Sequence, residues 1–441
     1  MVISPHVYLR IGSLRPRDTP LLPGLKQIYI PDYRDSSMSV SVKSSLDFSS
    51  ALLLASDSSF RVNSIHLENS ATSDRQFCIP FLFLLSVNSP NITHLTLCGT
   101  VDMSLDLVLH FRILQSLDLR LSGTYLGSQF LQDLGKLDYL LDLTLDTSHG
   151  PSSIEAPTST TPPGTKQSDL KPPTNTTFKQ LRKLHILGTP SSISRVLEDM
   201  HVLMNLTTLL IHEKTDGLGR HTGRHTEDPW KRCFAIISTF PAIENIQVTQ
   251  LEHSPSPDYY HLSTSCFYPL YQLNNLTSFV IINGSLSGSD EDFRFLTCAF
   301  PKLKKFVGPC AVYRQEGRTL AFLLHFSQAN RHLRELKISL GFDISDNLKA
   351  INVMGRPIIQ DHQHPLESLH IASTFGSLDL PDMIQVAQFL DLIFPNLSTL
   401  QAYGSDTYDS EVSNWTKIQQ IRVALQAARI KASAATKMVN E

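Results

Sequence analysis

No Cys-x-x-Cys pair occurs in these 441 residues; the six cysteines, Cys78, Cys98, Cys233, Cys266, Cys298 and Cys310, lie far apart. Neither a disulfide framework nor a structural zinc site is expected, and a reducing compartment is the simpler reading. Charge of one sign is also missing. With 38 basic against 41 acidic residues the net charge is -3, which excludes a global field that would draw the chain to nucleic acid or an anionic membrane. Long apolar runs are absent as well: stretches such as Ile79 to Val87 fall short of the roughly 20 residues needed to cross a bilayer. The start, Met1 to Leu25, is broken by Pro5, Pro16, Pro20 and Pro23, so no secretion signal is read there. The expectation is a soluble protein, cytoplasmic and/or nuclear, with no nucleic-acid or membrane partner.

What is abundant is apolar material in a repeated order. At 41% hydrophobic the chain can build cores, and at 441 residues it exceeds one compact core. A signature Leu-x-x-Leu-x-Leu, with Ile, Val or Phe replacing Leu, returns along almost the whole length. Early copies are Leu25, Ile28, Ile30; Val62, Ile65, Leu67; Ile92, Leu95, Leu97; Leu114, Leu117, Leu119; and Leu140, Leu143, Leu145. Later ones are Leu181, Leu184, Ile186; Leu206, Leu209, Ile211; Ile243, Ile246, Val248; Leu276, Phe279, Ile281; Leu303, Phe306; Leu333, Leu336, Ile338; Leu366, Leu369, Ile371; and Leu397, Leu400. There are about thirteen, roughly thirty residues apart, a spacing longer and less regular than the roughly 20 to 29 residues of standard repeats.

The last two apolar residues of each signature are two apart, so they share one side of a short strand. Between signatures, apolar residues recur at helical spacing: Phe77, Phe81, Leu84, Leu85; Phe130, Leu131, Leu134; Ile193, Val196, Leu197, Met200; Phe322, Leu323, Phe326; Val386, Phe389, Leu390, Ile393. Each unit reads strand, turn, helix, and buries its apolar side only by stacking on its neighbours. The fold class expected is α/β: a leucine-rich-repeat solenoid, ribonuclease-inhibitor-like with irregular repeats, with a parallel concave sheet and convex helices. Residues 1–24 form an N-terminal extension and 25–410 the solenoid, with 147–177, rich in Ser, Thr and Pro, as a disordered insertion. Residues 411–441 form a C-terminal capping helix, with Ile418, Ile421, Leu425, Ala428 and Ala432 as its apolar stripe.

Searches for chemistry fail in turn. Asn283 to Gly288 suggests a nucleophile elbow but has Leu286 where serine is needed, and the glycines Gly217, Gly219 and Gly223 lack the Lys-Ser/Thr of a phosphate loop. His221 with His225, and His362 with His364, are read as solvent-exposed loop histidines rather than metal ligands. No isolated carboxylate pair offers an acid and a base. No catalytic residue, cofactor or metal site is assigned. Seven Asn-x-Ser/Thr sequons occur, and those at Asn91, Asn205, Asn275 and Asn396 fall at strand entries, where a polar turn residue is wanted in any case.

Recognition is therefore expected on the concave face, through residues flanking the signature's last two apolar positions. Early units present Glu68, Asp118, Arg120, Asp142 and Asp146; middle units Lys183, His185, Leu210, His212, Val280, Ile282 and Val307; late units Glu335, Lys337, His370, Gln401 and Tyr403. A patch around Leu210, Val280 and Ile282, with acidic groups toward one end, suits a protein offering an apolar anchor and a basic rim.

The stretches Pro90 to Leu97, Phe111 to Leu121 and Phe394 to Leu400 resemble a large group of fungal F-box and leucine-rich-repeat proteins. That resemblance covers nearly all the chain and rests on repeat-type residues. It implies the substrate-recognition part of a ubiquitin-ligase receptor, whose F-box docks on the linker subunit of a cullin-based ligase. The first repeat begins at Leu25, before the forty to fifty residues of an F-box, so no F-box residue is carried over, and the linker subunit becomes a partner only if an F-box exists upstream. The other expectation is a stand-alone interaction scaffold or inhibitor unconnected to a ligase.

Overall fold

A computed structural model describes residues 26–30, 62–69, 75–89, 91–99, 105–121, 126–147, 178–200, 203–214, 229–250, 261–309, 319–320, 322–340, 364–372, 378–403 and 409–440. They fall into two compact units, Met1–Leu209 with Lys214–Gly223, and Leu210–Glu213 with Arg224–Glu441. The signature Leu25, the pairs Gly217/Gly223 and His221/His225, His362, Cys310, Asn175 and residues 148–177 lie outside the described residues.

In the first unit β1 (Gln27–Ile30), β2 (Ser64–Asn69), β3 (His94–Gly99), β4 (Ser116–Leu121), β5 (Asp142–Asp146) and β6 (Lys183–Gly188) pair in parallel, each with the next in the chain. In the second, the last four residues of β7 (Thr208–Glu213) precede β8 (Asn245–Thr249). From β8 the parallel ladder continues through β10 (Ser278–Ile282), β12 (Lys305–Val307), β13 (Glu335–Ser339), β14 (Ser368–Ala372) and β15 (Thr399–Ala402). Two short strands, β9 (His261–Ser263) and β11 (Ser285–Ser287), pair separately. The described repeats are leucine-rich repeats of the α/β type, as the signature predicts.

The signature works by register. Equivalent positions align across strands, so Ile65, Leu95, Leu117, Leu143 and Leu184 form one buried row and Leu67, Leu97, Leu119, Leu145 and Ile186 the next. Every described signature residue is buried. On the side to which these rows point lie α1 (Arg75–Asn88), α2 (Ser128–Leu134), α3 (Pro190–Asp199), α4 (Pro229–Ile237), α5 (Asp290–Ala299), α6 (Phe322–Ala329) and α7 (Leu380–Ile393), with 3-10 segments at Leu105–His110 and Thr264–Gln272. Each expected helical stretch is found, although Leu84 is exposed at 40% while Phe81 and Leu85 of the same helix are buried. Local sequence starts several of these helices: Thr189 before Pro190, and Ser289, which forms a capping box with Asp292.

The units differ in what fills the core. The first relies mainly on Leu and Ile, whereas in the second Phe234, Phe267 and Phe279 form a chain of edge contacts at 5.3 and 5.1 Å, continued by Phe306 and Phe326. Each such contact contributes about 0.5 to 1.5 kcal/mol beyond burial.

Between repeats the backbone is joined by a recurrent hydrogen-bond node. The carbonyl of Asn63 accepts from the N–H groups of Thr93 and His94, that of Arg182 from Thr207 and Thr208, and that of Glu244 from Thr277 and Ser278. This explains the sequons. The hydroxyls of Thr93, Thr207, Thr277 and Ser398 donate to the same carbonyls, of Asn63, Arg182, Glu244 and Glu367, at 2.8 to 3.2 Å. The Asn side chains take a second carbonyl of the preceding repeat: Asn205 Nδ2 donates to Lys179 O at 2.6 Å, Asn275 to Pro241 O and Asn396 to His364 O. In the sequons at Asn205, Asn275 and Asn396 both polar residues are thus used in joining repeats.

At the end of the second unit α8 (Asp409–Asn440) packs on α7 and β15. Gln419 Nε2 donates to Ser398 O and Gln426 Nε2 to Pro395 O, both at 2.8 Å. These two carbonyls correspond to Glu367 O and His364 O one repeat earlier, so two glutamines stand where a further repeat would place its N–H groups and its Asn. The buried stripe differs from the one expected: Asn414, Trp415, Ile418 and Arg422 are buried, whereas Ile421 and Leu425 are half-buried and Ala428 exposed. Arg422, at 0% exposure, gives Nε and one terminal nitrogen to Gln419 Oε1, so a charged residue takes a place that hydrophobic spacing reserved for an apolar one.

Candidate functional site

The strand positions between the buried rows face away from the helices and form an open side of each ladder. In the first unit this face is polar and internally paired. Tyr29 Oη and His66 both meet Glu68, at 2.9 and 3.0 Å, and Arg120 makes two bonds to Asp118 two residues earlier on the same strand, at 3.0 and 2.6 Å. Burial works against the charge of Arg120, but its hydrogen bond and ion pair with Asp118 more than offset this and raise its pKa. Cys98 lies in register between Glu68 and Arg120, and burial, with Asp118 beside it, pushes its thiol up to about 11. Such a thiol is unreactive at neutral pH. Asp142 and Lys183 are exposed register partners, and His185 is half-buried beside Thr144.

Two expected surface residues are placed otherwise. Asp146 is 7% exposed and bound to Lys214, so it is the buried member of a part-buried ion pair rather than an open contact residue. Thr147, taken as the first residue of the insertion, is buried and donates through Oγ1 to Leu187 O, so it belongs to the repeat.

In the second unit the open face has an apolar part. Val280 and Ile282 are half-buried on β10, and Val280 is in register with Val307, which at 6% exposure is more covered than expected for that face. Leu210, on β7, is separated from them by β8, whose Gln247 and Thr249 are the register partners of Val280 and Ile282. The patch therefore centres on Val280 and Ile282, with Val307 buried beside Val280. His212 is half-buried on β7.

The charged side chains beside this patch are Lys305, Glu335 and Lys337. Glu335 lies 2.8 Å from Lys305, its register partner, and 3.4 Å from Lys337. Burial opposes its charge, yet the two ammonium groups hold its pKa below the usual value. The Lys337 ammonium stands 5.6 Å from the centre of the Tyr403 ring, and His370, hydrogen-bonded to Ser368 at 2.8 Å, lies 6.4 Å from the same ring. Burial and the Lys337 charge lower the His370 pKa. Gln401 is the exposed register partner of His370. Among the described residues of this unit the rim is thus cationic on balance, two ammonium groups to one carboxylate, and complements acidic rather than basic groups.

Sequence reasoning missed Lys305, because its repeat has only two residues of the signature; its place just before Phe306, like that of Lys183 before Leu184, was the available signal. It missed two buried ionisable groups as well. Glu213 continues the alternation of Leu209 and Ile211, so its side chain enters the core side at 4% exposure, Oε2 has no hydrogen-bond partner, and burial raises its pKa to about 7. His364, expected in an exposed loop, is 6% exposed because it sits two residues before Leu366 at a strand entry. Its Nε2 meets Asn330 O at 3.0 Å and its Nδ1 accepts from Leu366 N–H, and burial lowers its pKa to about 4. Nor does Gly284 belong to an elbow: it follows Asn283 in a turn with both residues at positive φ, and a Cβ there would overlap the Gln250 side chain.

Among the described residues no group of three or more His, Cys, Asp or Glu could hold a metal, Cys78, Cys98, Cys233, Cys266 and Cys298 form no disulfide, and no helix is long and apolar enough to cross a membrane.

No family model matches the chain, and no curated protein matches it. Among solved structures it is similar to an internalin of Listeria monocytogenes, at 12% identity and a TM-score of 0.39, over 91% of this chain and 95% of the other. It is also similar to a leucine-rich-repeat protein of Leptospira interrogans, at 13% identity and a TM-score of 0.34, over 80% and 74%. At these scores neither neighbour bears on function.

Proposed function

We propose that this chain is a non-catalytic protein-binding module that recognises its partner on the open face of the second unit's ladder. The observation that carries this reading is the half-buried apolar pair Val280 and Ile282, backed by the buried Val307 and lying beside a lysine pair, on the side of the strands opposite the helices. Fully covering an exposed apolar side chain of this size contributes about 1.5 to 3 kcal/mol, so completing the burial of these two half-buried ones contributes a fraction of that each at the centre of an interface whose rim is polar. The test is affinity purification of the tagged chain beside Val280→Asp and an Asp118→Ala/Arg120→Ala control in the first unit. One protein is expected to be recovered stoichiometrically with the wild type and the control and lost from Val280→Asp. Equal recovery with all three overturns the reading.

The resemblance to fungal F-box and leucine-rich-repeat proteins supports a narrower reading, the substrate-recognition part of a ubiquitin-ligase receptor working in the cytoplasm or nucleus. Co-purification of a cullin-ligase linker subunit with a chain extended upstream to an F-box is the expected outcome. Its absence, with a stoichiometric partner still present, favours a stand-alone scaffold or inhibitor.

A further inference from the structure

Resting on the binding reading above, we propose that the partner contributes a short acidic segment, in which one large apolar side chain seats on Val280 and Ile282 while an Asp or Glu one to three residues away sits against Lys305 and Lys337. The register supplies the spacing. Val280, Val307 and Lys337 follow one another across three adjacent strands. At about 4.8 Å per strand the apolar centre and the ammonium group are separated by roughly 5 to 10 Å, and an extended segment rises about 3.3 Å per residue. One to three residues therefore span the distance.

Charge selects the sign of the second group. Lys305 and Lys337 share Glu335, so the cluster keeps one uncompensated positive charge. Each ammonium group has three donors, so Glu335 leaves donors on both lysines for an incoming carboxylate. A basic side chain at the same place meets two ammonium groups, which disfavours it by repulsion. Burial and the Lys337 charge lower the His370 pKa, which disfavours the charged form of its ring. Lys337 is already held against the Tyr403 ring, so contacting the partner costs little side-chain freedom.

The probe is a random peptide library displayed on phage, panned against the whole purified chain, followed by anisotropy titrations of an enriched peptide. Wild type, Val280→Asp and Lys305→Glu/Lys337→Glu are compared, with thermal melts checking that each variant folds. Enriched peptides are expected to carry Leu, Ile or Phe within three residues of Asp or Glu. Either variant is expected to weaken binding at least about ten-fold. A peptide with Lys in place of its acid is expected to recover binding to the double charge reversal. Enrichment of neutral or basic peptides, no enrichment, or binding lost in Val280→Asp but untouched by the charge reversal overturns the acidic class and leaves the protein-binding reading standing. Peptides indifferent to both variants overturn the surface itself.

Discussion

The two units carry the same repeat and use their open faces differently. In the first, outward polar side chains two apart on one strand bond to each other: His66 with Glu68 on β2, Arg120 with Asp118 on β4. In the second, Lys305 and Glu335 pair across strands, Lys337 joins them, and an apolar cluster lies in the neighbouring register positions. The cores differ in parallel, aliphatic in one and a chain of phenylalanines in the other. A repeat specifies the scaffold, and the positions between its leucines are free to diverge, so two runs of one signature present unlike surfaces.

The comparison is broken most severely in the aromatic core. Phe279→Ala removes edge contacts to Phe267, Phe300 and Phe306 and is expected to destabilise the second unit by ~3 to 5 kcal/mol in urea denaturation, while the first unit, followed by hydrogen exchange, stays protected.

Next comes pH, where the second unit holds two opposed buried groups. The folded pKa of Glu213, about 7, lies above its ordinary 4.5, so its stabilisation is complete below pH 4.5 and is lost as pH rises to 7. That of His364, about 4, lies below its ordinary 6.5, so stability is lost as pH falls from 6.5 to 4. Glu213→Gln is expected to remove the loss on going from pH 5 to 8, and His364→Gln the loss on going to pH 4, each by up to roughly 3 kcal/mol. Urea midpoints measured against pH check both; unchanged slopes contradict the assignment.

A smaller effect belongs to α8. Gln419→Ala and Gln426→Ala each delete a bond from the last repeat to the helix and are expected to cost about 1 kcal/mol, with exchange rising first in β15. The smallest belongs to the first unit's face: Asp118→Ala with Arg120→Ala is expected to move the melting midpoint by less than ~0.5 kcal/mol equivalent, because exposed pairs contribute little.

The scaffold was legible because burial has period two along a strand and every signature position obeys it, from Ile65 to Leu400. The faces were legible by the same parity, which located Asp118, Val280 and Lys337 but said nothing of what lies alongside. Asp146 has the outward parity, yet it is buried and paired with Lys214, which follows β7 in the sequence. Parity also placed Leu210 beside Val280 by composition alone, whereas the register inserts Gln247 between them. Glu213 and His364 were hidden because polar residues are presumed exposed, and only tertiary packing buries them. The sequons were read as turns; their inter-repeat bonds depend on a carbonyl some thirty residues away, which no local pattern reveals.

The most direct test of the central claim is hydrogen exchange of the complex recovered with the tagged chain, compared with the free chain. Slowed exchange confined to β10, β12 and β13 is the result the account predicts. Protection of the helices α4 to α7 with those strands unchanged would contradict it.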